Sequence, residues 1–408
     1  MKYQNISGGV CAAQGFRAAG VHCGVKASSR PDKNDLAMIL SERECSAAAV
    51  FTRNKVKAAP VYVTREHLEK GRAWGVIANS GNANACCPMS RENARAMCAA
   101  AARATGHEPE DFVVCSTGVI GQTINIAAIE AGVPQVAEKL DRDGSLAAAK
   151  AIMTTDTVEK EIALALTIGG REVKLGAIAK GSGMIHPNMG TMLAFITTDC
   201  AISAEMLSQA LQAVTPRTFN RVTVDGDTST NDTCAILANG MAGNREIREK
   251  DEDYRSFLEA LEVVCRYLSR AIAGDGEGAS RLVTGMVSGA ASEETAEQLA
   301  KAVVGSALVK AAMFGADANW GRVLCAMGYA GVEFDPEGVD VTFRSEQGEV
   351  SVCAAGRALA FDEAKAKEVL SQKEVIIDVT LHEGAGQAEC WGCDLTYDYV
   401  KINGDYRT

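Results

Sequence analysis

The sequence predicts an α/β protein in which sheets are buried between layers of helices. Strand-like and helix-like stretches alternate along most of the 408 residues, which is the pattern of α/β folds. Several strand candidates are apolar at nearly every position, as strands covered on both faces are. Hydrophobic residues make up 47% of the chain and charged residues 23%, a globular composition, and the length predicts two domains or three.

Seven helices are predicted from the spacing of apolar residues and from capping residues. Ser90, Ser145, Ser203 and Ser292 are interpreted as N-caps, whose side chains accept hydrogen bonds from the free N–H groups of the first turn. The longest helix has one apolar face, formed by Phe257, Leu261, Val264, Leu268 and Ile272. The predicted helices are 90–105, 125–140, 145–153, 203–214, 252–273, 292–313 and 362–371.

Ten stretches rich in apolar and β-branched residues are predicted as strands. They are 73–79, 111–116, 172–179, 191–198, 221–225, 233–238, 281–288, 339–344, 349–354 and 374–382. A charged stretch at 245–256 opens the longest helix. We therefore expect a second, smaller α/β lobe at about 245–345.

Charge and hydropathy exclude several classes of protein. The net charge is −11, which argues against nucleic acid as a partner. The apolar runs are far shorter than the ~18 residues of a membrane span, and the first residues, MKYQNISGGV, lack the apolar core of a signal peptide. We expect a cytoplasmic protein that contacts neither a membrane nor nucleic acid.

Common cofactor and catalytic motifs are absent from the sequence. It contains no GxxxxGK[ST] or GxGxxG phosphate loop, no HExxH and no GxSxG. The 14 cysteines show no scaffold spacing, and in a cytosol we expect most to be small, buried, reduced thiols. Cys390 and Cys393 form a CxxC, but a zinc site needs four ligands and no second pair accompanies them. The sequence therefore predicts neither a metal nor a cofactor.

Loops dense in Gly, Thr, Asn and Asp lie at the ends of predicted strands, where α/β proteins place functional groups. For each loop taken alone, a structural turn is the simpler interpretation. The loops are 115–118, 180–191, 220–232, 274–278 and 403–408.

Thr191 follows a Gly-containing loop and begins an apolar strand. As a structural residue, a β-branched threonine suits a buried strand. If the chain were cut before Thr191, however, its new α-amine would lie beside its hydroxyl group. An α-amine titrates near ~8 and can act as a base without histidine. Nothing points to a triad among the five histidines, and His186 is interpreted as a loop-packing residue, so an N-terminal nucleophile is an attractive hypothesis.

The sequence resembles the ornithine acetyltransferase family, the bifunctional glutamate N-acetyltransferases of arginine biosynthesis, nearly from end to end. Several long motifs occur in order, which is more specific than any single short pattern. They are GVCAAQGFRAAGVHCGVK, IANSGNANAC, CSTGVIG, KGSGMIHPNMGTMLAFITTD, FNRVTVDGDTSTNDT, GDGEGASRL, GADANWGRVL and NGDYRT.

The resemblance implies a precursor that cuts itself between Gly190 and Thr191. Its products would be an α chain, 1–190, and a β chain, 191–408, which stay together, usually as two of each. The implied fold is a layered α/β/β/α sandwich similar to N-terminal-nucleophile enzymes. The first segment carries 22 basic and 18 acidic residues and the second 19 and 34, so their charges are opposite, although both surfaces can equally be ordinary solvated faces.

The resemblance also implies roles for individual residues. Thr191 matches the nucleophile, and Thr117 with Gly118 matches the oxyanion-hole pair. Positions matching substrate contacts are Thr154, Lys180, Thr191, Glu277, Asn403 and Thr408. One departure is visible, because the family commonly has Ala before the nucleophile and this chain has Gly190. Glycine lacks strain imposed by a Cβ atom, which bears on the rate of cleavage and not on its chemistry.

The implied reaction moves an acetyl group from N-acetylornithine to glutamate through an acetyl-threonine intermediate. One amide replaces a similar one, so no cofactor is required. Acetyl-CoA is a second donor in some members of the family, and the residues leave that activity open. Two alternatives also stay open at this point: an aminopeptidase or amidase of similar fold, in which water accepts the acyl group, and an uncleaved binding protein.

Overall fold

The computed structural model describes residues 3–26, 32–186 and 192–405. The predicted cleavage site, Gly190–Thr191, and the predicted substrate residue Thr408 lie outside the described residues. Two sheets organise the described part of the chain, one of nine strands and one of six.

The nine-stranded sheet is built mainly from the first 240 residues. Its order is β1-β6-β7-β8-β9-β3-β4-β5, with β2 also paired to β3. The strands are β1 (Tyr3–Ile6), β2 (Phe16–Val21), β3 (Leu36–Phe51), β4 (Arg72–Asn79), β5 (Phe112–Ser116), β6 (Lys160–Ile168), β7 (Arg171–Lys180), β8 (Leu193–Thr198) and β9 (Thr233–Ala238).

Strand β3 lets this sheet fold over on itself. Its first part pairs with β4 up to Leu40, the register shifts before Cys45, and its second part, 46–51, pairs with β9. Side chains from the two halves then share one buried cluster. They include Val76, Ala78, Val113 and Cys115 from one half and Leu193, Phe195, Ala235 and Leu237 from the other. The two halves therefore form the inner pair of layers.

Helices cover the outer face of each half. Helices α1, α2 and α3 pack on the β2–β4–β5 half, whereas α5 and α6 pack on the β6–β9 half. Helix α4 borders the inner cluster. The helices are α1 (Ala59–His67), α2 (Ser90–Thr105), α3 (Ile126–Glu138), α4 (Ser145–Ala151), α5 (Ala204–Val214) and α6 (Glu252–Gly274). The resulting α/β/β/α layering confirms the predicted fold class.

The second sheet forms a smaller lobe with its own buried core. Its order is β13-β12-β11-β14-β10-β15. Its strands are β10 (Leu282–Ala290), β11 (Asp340–Ser345), β12 (Gly348–Ala354), β13 (Arg357–Ala358), β14 (Glu374–Thr380) and β15 (Gly386–Cys393). The remaining helices are α7 (Glu293–Gly305), α8 (Ala307–Phe314), α9 (Trp320–Gly328), α10 (Glu363–Leu370) and α11 (Tyr397–Asp405).

The bounds of this lobe differ from the expected 245–345. Its sheet runs from Leu282 to Cys393, because β10 pairs in parallel with β14 and antiparallel with β15, both much later in the chain. Helix α6, which was expected to open the lobe, packs its apolar face on the first sheet instead.

Two predicted elements differ from the structure. The helix predicted over 292–313 is broken at Ser306, whose backbone is extended and whose side chain caps α8 through the Val309 N–H. The strand predicted over 221–225 is extended chain shared between two neighbours. There the Thr223 N–H donates to Trp391 and the Val224 N–H donates to Ile185.

The predicted caps are partly confirmed. Ser203 and Ser292 accept hydrogen bonds from the first turns of α5 and α7. Ser90 and Ser145 instead occupy the first helical positions. Ser145 contacts Glu161, to which its hydroxyl donates over 2.9 Å. Serine is thus a sound signal for the start of a helix, although its side chain can hydrogen-bond to a residue elsewhere in the fold instead of capping the helix.

The CxxC cysteines face different parts of the molecule. Cys390 lies in the core of the smaller lobe and Cys393 in the core between the nine-stranded sheet and helices α5 and α6, because positions three apart on a strand point to opposite faces. Among the described residues, no group of three or more His, Cys, Asp or Glu side chains is arranged to hold a metal ion. No helix in the described ranges is both long and apolar enough to cross a membrane.

The inner pair of layers should contribute strongly to the stability of the nine-stranded sheet. Phe195 is 1% exposed in the cluster between the two sheet halves, so Phe195→Ala should lower the free energy of unfolding by about 3–5 kcal/mol. Leu308→Ala, at a position 57% exposed, is the control and should change it by less than about 0.5 kcal/mol. Denaturant unfolding measures both, and equal effects would contradict the layered packing.

Candidate active site

A cavity of about 360 Å³ lies where the ends of β5 and β7 meet the starts of β8 and β9. All six predicted site residues that the structure describes line it. They are Thr117, Gly118, Thr154, Lys180, Glu277 and Asn403. Met192 and Leu193, which directly follow the predicted nucleophile in sequence, line it as well. The fold thus gathers residues separated by nearly 300 positions.

The Thr117–Gly118 segment is a tight turn at the edge of the cavity. Gly118 adopts φ +127°, and a Cβ atom there would lie 2.9 Å from the backbone N of Asn82, so only glycine fits. Among the described residues, none accepts a hydrogen bond from the Gly118 N–H. The segment is held from behind by Asn231, whose amide donates to the Ser116 carbonyl over 2.8 Å.

Lys180, the last residue of β7, connects this turn to a buried group of charges. Its Nζ donates to the Thr117 Oγ1 over 3.3 Å, which leaves the hydroxyl hydrogen of Thr117 free to point into the cavity. Burial lowers the pKa of Lys180, whereas the charge of Asp156 opposes that change. Lys180 therefore polarises the Thr117 hydroxyl and makes it a better hydrogen-bond donor.

Asp156 and Asp275 hold the cations of this group in place. The Lys160 Nζ lies 2.8 Å from the Asp156 Oδ1 and 2.5 Å from the Asp275 Oδ2. Asp156 also accepts from the Gly181 N–H over 2.7 Å. Burial alone would raise the pKa of Asp156, but the charges of Lys180 and Lys160 outweigh it and lower that pKa to about 2.

Glu277 and Asn403 form the side of the cavity nearest the C-terminus. The Asn403 Nδ2 donates to the Glu277 Oε2 over 2.8 Å, and Asn403 belongs to helix α11. Gly183 lies against this carboxyl group, since a Cβ atom there would be 2.3 Å from it. The loop residues expected at 403–405 are therefore the last turn of a helix that reaches the cavity.

The segment just before the predicted cleavage site is fixed by the loop that precedes β9. Asp225 accepts from the Met184 and Ile185 N–H groups over 2.6 and 2.8 Å. The Thr228 hydroxyl donates to the His186 carbonyl over 2.8 Å. Burial lowers the pKa of His186 to about 4, so its ring is neutral near pH 7, and it packs in the loop as the sequence predicts.

Sequence reasoning missed Asp156, Asn231 and Asp232. Asn231 and Asp232 end the polar loop at 220–232, and both line the cavity. Asp156 follows Thr154 by two residues, and its side chain accepts from the Thr154 N–H over 3.0 Å. Their position in the sequence, next to a predicted site residue or within a polar loop, is the signal that could have identified these three residues.

Comparison with known proteins now places the chain. The model of the ArgJ family matches residues 17–408. The chain is 51% identical over 404 residues to the "Arginine biosynthesis bifunctional protein ArgJ" of Symbiobacterium thermophilum and 48% identical over 404 residues to that of Caldanaerobacter subterraneus, with 99% of each chain covered in both cases. The chain belongs to the ArgJ family.

Solved structures of ArgJ proteins match parts of the chain. A crystal structure of argJ from Bacillus halodurans has 46% identity and a TM-score of 0.51, and it covers 53% of this chain and 100% of that one. The ornithine acetyltransferase of Mycobacterium tuberculosis, solved in complex with ornithine, has 40% identity and a TM-score of 0.42 over 47% of this chain and 99% of that one.

The charges around Asp156 should make this ArgJ-family protein sensitive to acid. Because the pKa of Asp156 is lowered to about 2, its stabilisation is complete above about pH 4 and is lost as the pH falls toward 2. Unfolding free energies should show roughly 2 kcal/mol lost by this group in that range. Asp156→Asn should remove that component, whereas Asp143→Asn, at an exposed position, should keep it. Identical profiles for all three proteins would contradict the assignment.

Proposed function

We propose that the chain cuts itself between Gly190 and Thr191 and then transfers an acetyl group from N-acetylornithine to glutamate in arginine biosynthesis. The observation that carries this proposal is the convergence of six predicted site residues on the cavity where β8 begins. Family membership supports the same activity, since the relatives are named as arginine biosynthesis proteins.

Thr191 would act as the nucleophile and divide one difficult transfer into two easier ones. Its hydroxyl attacks the acetyl carbonyl, ornithine leaves, and the acetyl-threonine ester then reacts with the glutamate amine. The free Gly118 N–H and the hydroxyl of Thr117 are suited to stabilise the oxyanion of each tetrahedral intermediate. Loss of one such donor typically costs about 10²–10³ in rate.

The charged and polar residues around the cavity suit the two ends of an amino acid. Lys180 offers a cation for a carboxylate, and Glu277 offers an anion for an ammonium group. Asn403 orients the Glu277 carboxyl, and Thr154 borders the cavity beside them. Thr408, three residues beyond α11, is proposed to complete this side of the site.

The length of a solved relative supports the cleavage. Residues 191–408 would be 218 of the 408 residues, or 53% of the chain. The crystallised Bacillus halodurans chain matches this same share of the sequence over its entire length, as a separated β chain would. We infer that the α and β chains stay associated, as two of each, in the cytoplasm.

A second acetyl donor is part of the proposal. Both compared relatives are named bifunctional, and we infer that this chain also uses acetyl-CoA to acetylate glutamate. The same acetyl-threonine intermediate serves both donors, so no additional catalytic group is needed.

Thr191→Ala tests the cleavage and the intermediate together. Wild-type protein should separate into two chains on a denaturing gel, and acetylornithine alone should add one acetyl mass to the larger chain. Thr191→Ala should remain full length and inactive because it lacks the attacking hydroxyl. Thr167→Ala, at an exposed position on β6, should behave as wild type.

Two results would contradict this proposal. A Thr191→Ala protein that is still cut would rule out the nucleophile. Release of acetate and ornithine from acetylornithine at the same rate with and without glutamate would identify an amidase, in which water is the acceptor.

Gly183→Ala tests the placement of Glu277. The added methyl group would overlap the Glu277 carboxyl and displace it, and such displacements of positioning groups can cost about 10²-fold in rate. We expect kcat/KM for acetyl transfer to fall by roughly 10- to 100-fold in the cleaved variant. Gly328→Ala, whose Cβ atom would meet nothing within 4 Å, is the matched control. Equal kinetics would show that Glu277 does not contact substrate.

A further inference from the structure

Asp232 is a buried acid that the mechanism above leaves unused. It precedes β9 and lines the cavity. Only 2% of its surface is exposed, and its Oδ2 atom has no hydrogen-bond partner among the described residues. A buried polar atom without a partner costs free energy, so its presence beside a reactive site calls for a reason.

The register of the sheet places Asp232 level with the start of the β chain. Strands β8 and β9 run parallel with Leu193 opposite Thr233, and the Thr233 N–H donates to the Met192 carbonyl over 3.0 Å. Asp232 therefore stands beside Met192, the second residue of the proposed β chain. Hydrogen bonds from the Met192 N–H and from the Ser229 and Thr52 side chains lower the pKa of the Asp232 carboxyl, although its Oδ2 atom stays without a partner.

Cleavage would create a new cation next to this acid. Hydrolysis of the Gly190–Thr191 peptide bond consumes one water molecule and leaves a carboxylate on Gly190 and an amine on Thr191 that is protonated below its pKa of ~8. An ammonium group formed beside a buried acid is favoured by the opposite charge of the carboxylate. No such cation exists in the intact chain.

We propose that Asp232 is the counter-charge for the α-amino group that self-cleavage creates at residue 191. The Oδ2 atom lacks a hydrogen-bond partner among the described residues, and the new amine would supply one. When the new amine is protonated, it forms an ammonium–carboxylate pair with Asp232. Asp232 is thus a positioning residue that orients the amine toward the Thr191 hydroxyl. This inference rests on the proposed function, since it requires the cleavage.

The charges around Asp232 determine the direction in which the pKa of the α-amine should move when Asp232 is replaced. Burial raises the pKa of Asp232 well above its usual range, and the charge of Lys180 lowers it. Behind Lys180 lie Asp156 and Lys160, and Glu277 faces it as well. These groups set the absolute pKa of the α-amine. Removing the negative charge of Asp232 alone must still lower that pKa, because an adjacent carboxylate favours the ammonium form.

The first experiment measures kcat/KM for acetyl transfer against pH in cleaved protein. Activity rises with pH as the α-amine loses its proton. In Asp232→Asn that rise should move to lower pH by about one unit or more, together with a lower maximum. Asp232→Glu should keep the wild-type position. Asp199→Asn is the matched control, because Asp199 is also buried with a raised pKa but lies at the far end of β8. It should leave the rise unchanged.

The second experiment measures thermal stability and needs no activity. In the uncut Thr191→Ala background, Asp232→Asn should lower the melting temperature only slightly, because the Oδ2 atom has no partner to lose and the amide oxygen of Asn can still accept the other hydrogen bonds of the carboxyl. In cleaved protein the same change should lower the melting temperature more, because it also removes the ion pair. Equal shifts in both backgrounds would overturn the proposal, as would an unmoved pH profile. A variant that stays uncut would also overturn it, since the counter-charge of a product is not needed to form that product.

These outcomes separate the two proposals. Wild-type protein that is not cut, or does not transfer acetyl groups, defeats the proposed function and this inference with it. The inference alone is defeated if wild-type protein is cut and active, Asp232→Asn has the wild-type pH profile, and this substitution shifts the melting temperature equally in cut and uncut protein.

Discussion

The site depends on a small group of buried charges formed by Asp156, Lys160, Lys180 and Asp275. Lys160 bridges the two aspartates, and Asp156 in turn stabilises the charge of Lys180. Removing one member of such a group leaves an unpaired buried charge, which is far more costly than losing a surface ion pair. The group therefore fixes the loop before β6, the end of β7 and the end of α6 relative to one another. Those three segments supply Thr154, Lys180 and Glu277.

Local signals in the sequence were enough for elements that are stabilised by their own caps and apolar faces. Helices α5 and α6 begin directly after Ser203 and Asp251, whose side chains cap them. Strand β3 was missed because its middle, Ser41 to Glu44, is mostly polar and exposed where it turns from one sheet half to the other. Its second part, 46–51, is rich in alanine, which carries little strand preference. Its conformation comes from its neighbours in the folded protein.

The candidate active site shows the same division between local signals in the sequence and effects of tertiary neighbours. Its predicted residues came from long motifs, and the fold brings the described ones together on one cavity. Asp275 was missed because it works through Lys160, 115 positions away, and no spacing in the sequence connects them. Asp232 was missed because its environment is defined by a strand partner, Met192, and by Lys180. Tertiary neighbours decide which of the many polar loop residues have shifted pKa values.

The sheet explains why the proposed cut need not separate the two chains. Strands β8 and β9 would belong to the β chain, yet they lie between β7 and β3 of the α chain and are hydrogen-bonded on both sides. The ion pair Lys160–Asp275 also crosses between the segments, whereas pairs such as Arg221–Glu293 lie within one of them. Backbone pairing and the shared apolar core thus hold the halves together, and their opposite net charges are secondary. A nucleophile at the start of β8 is thereby held by the same strands before and after the peptide bond is broken.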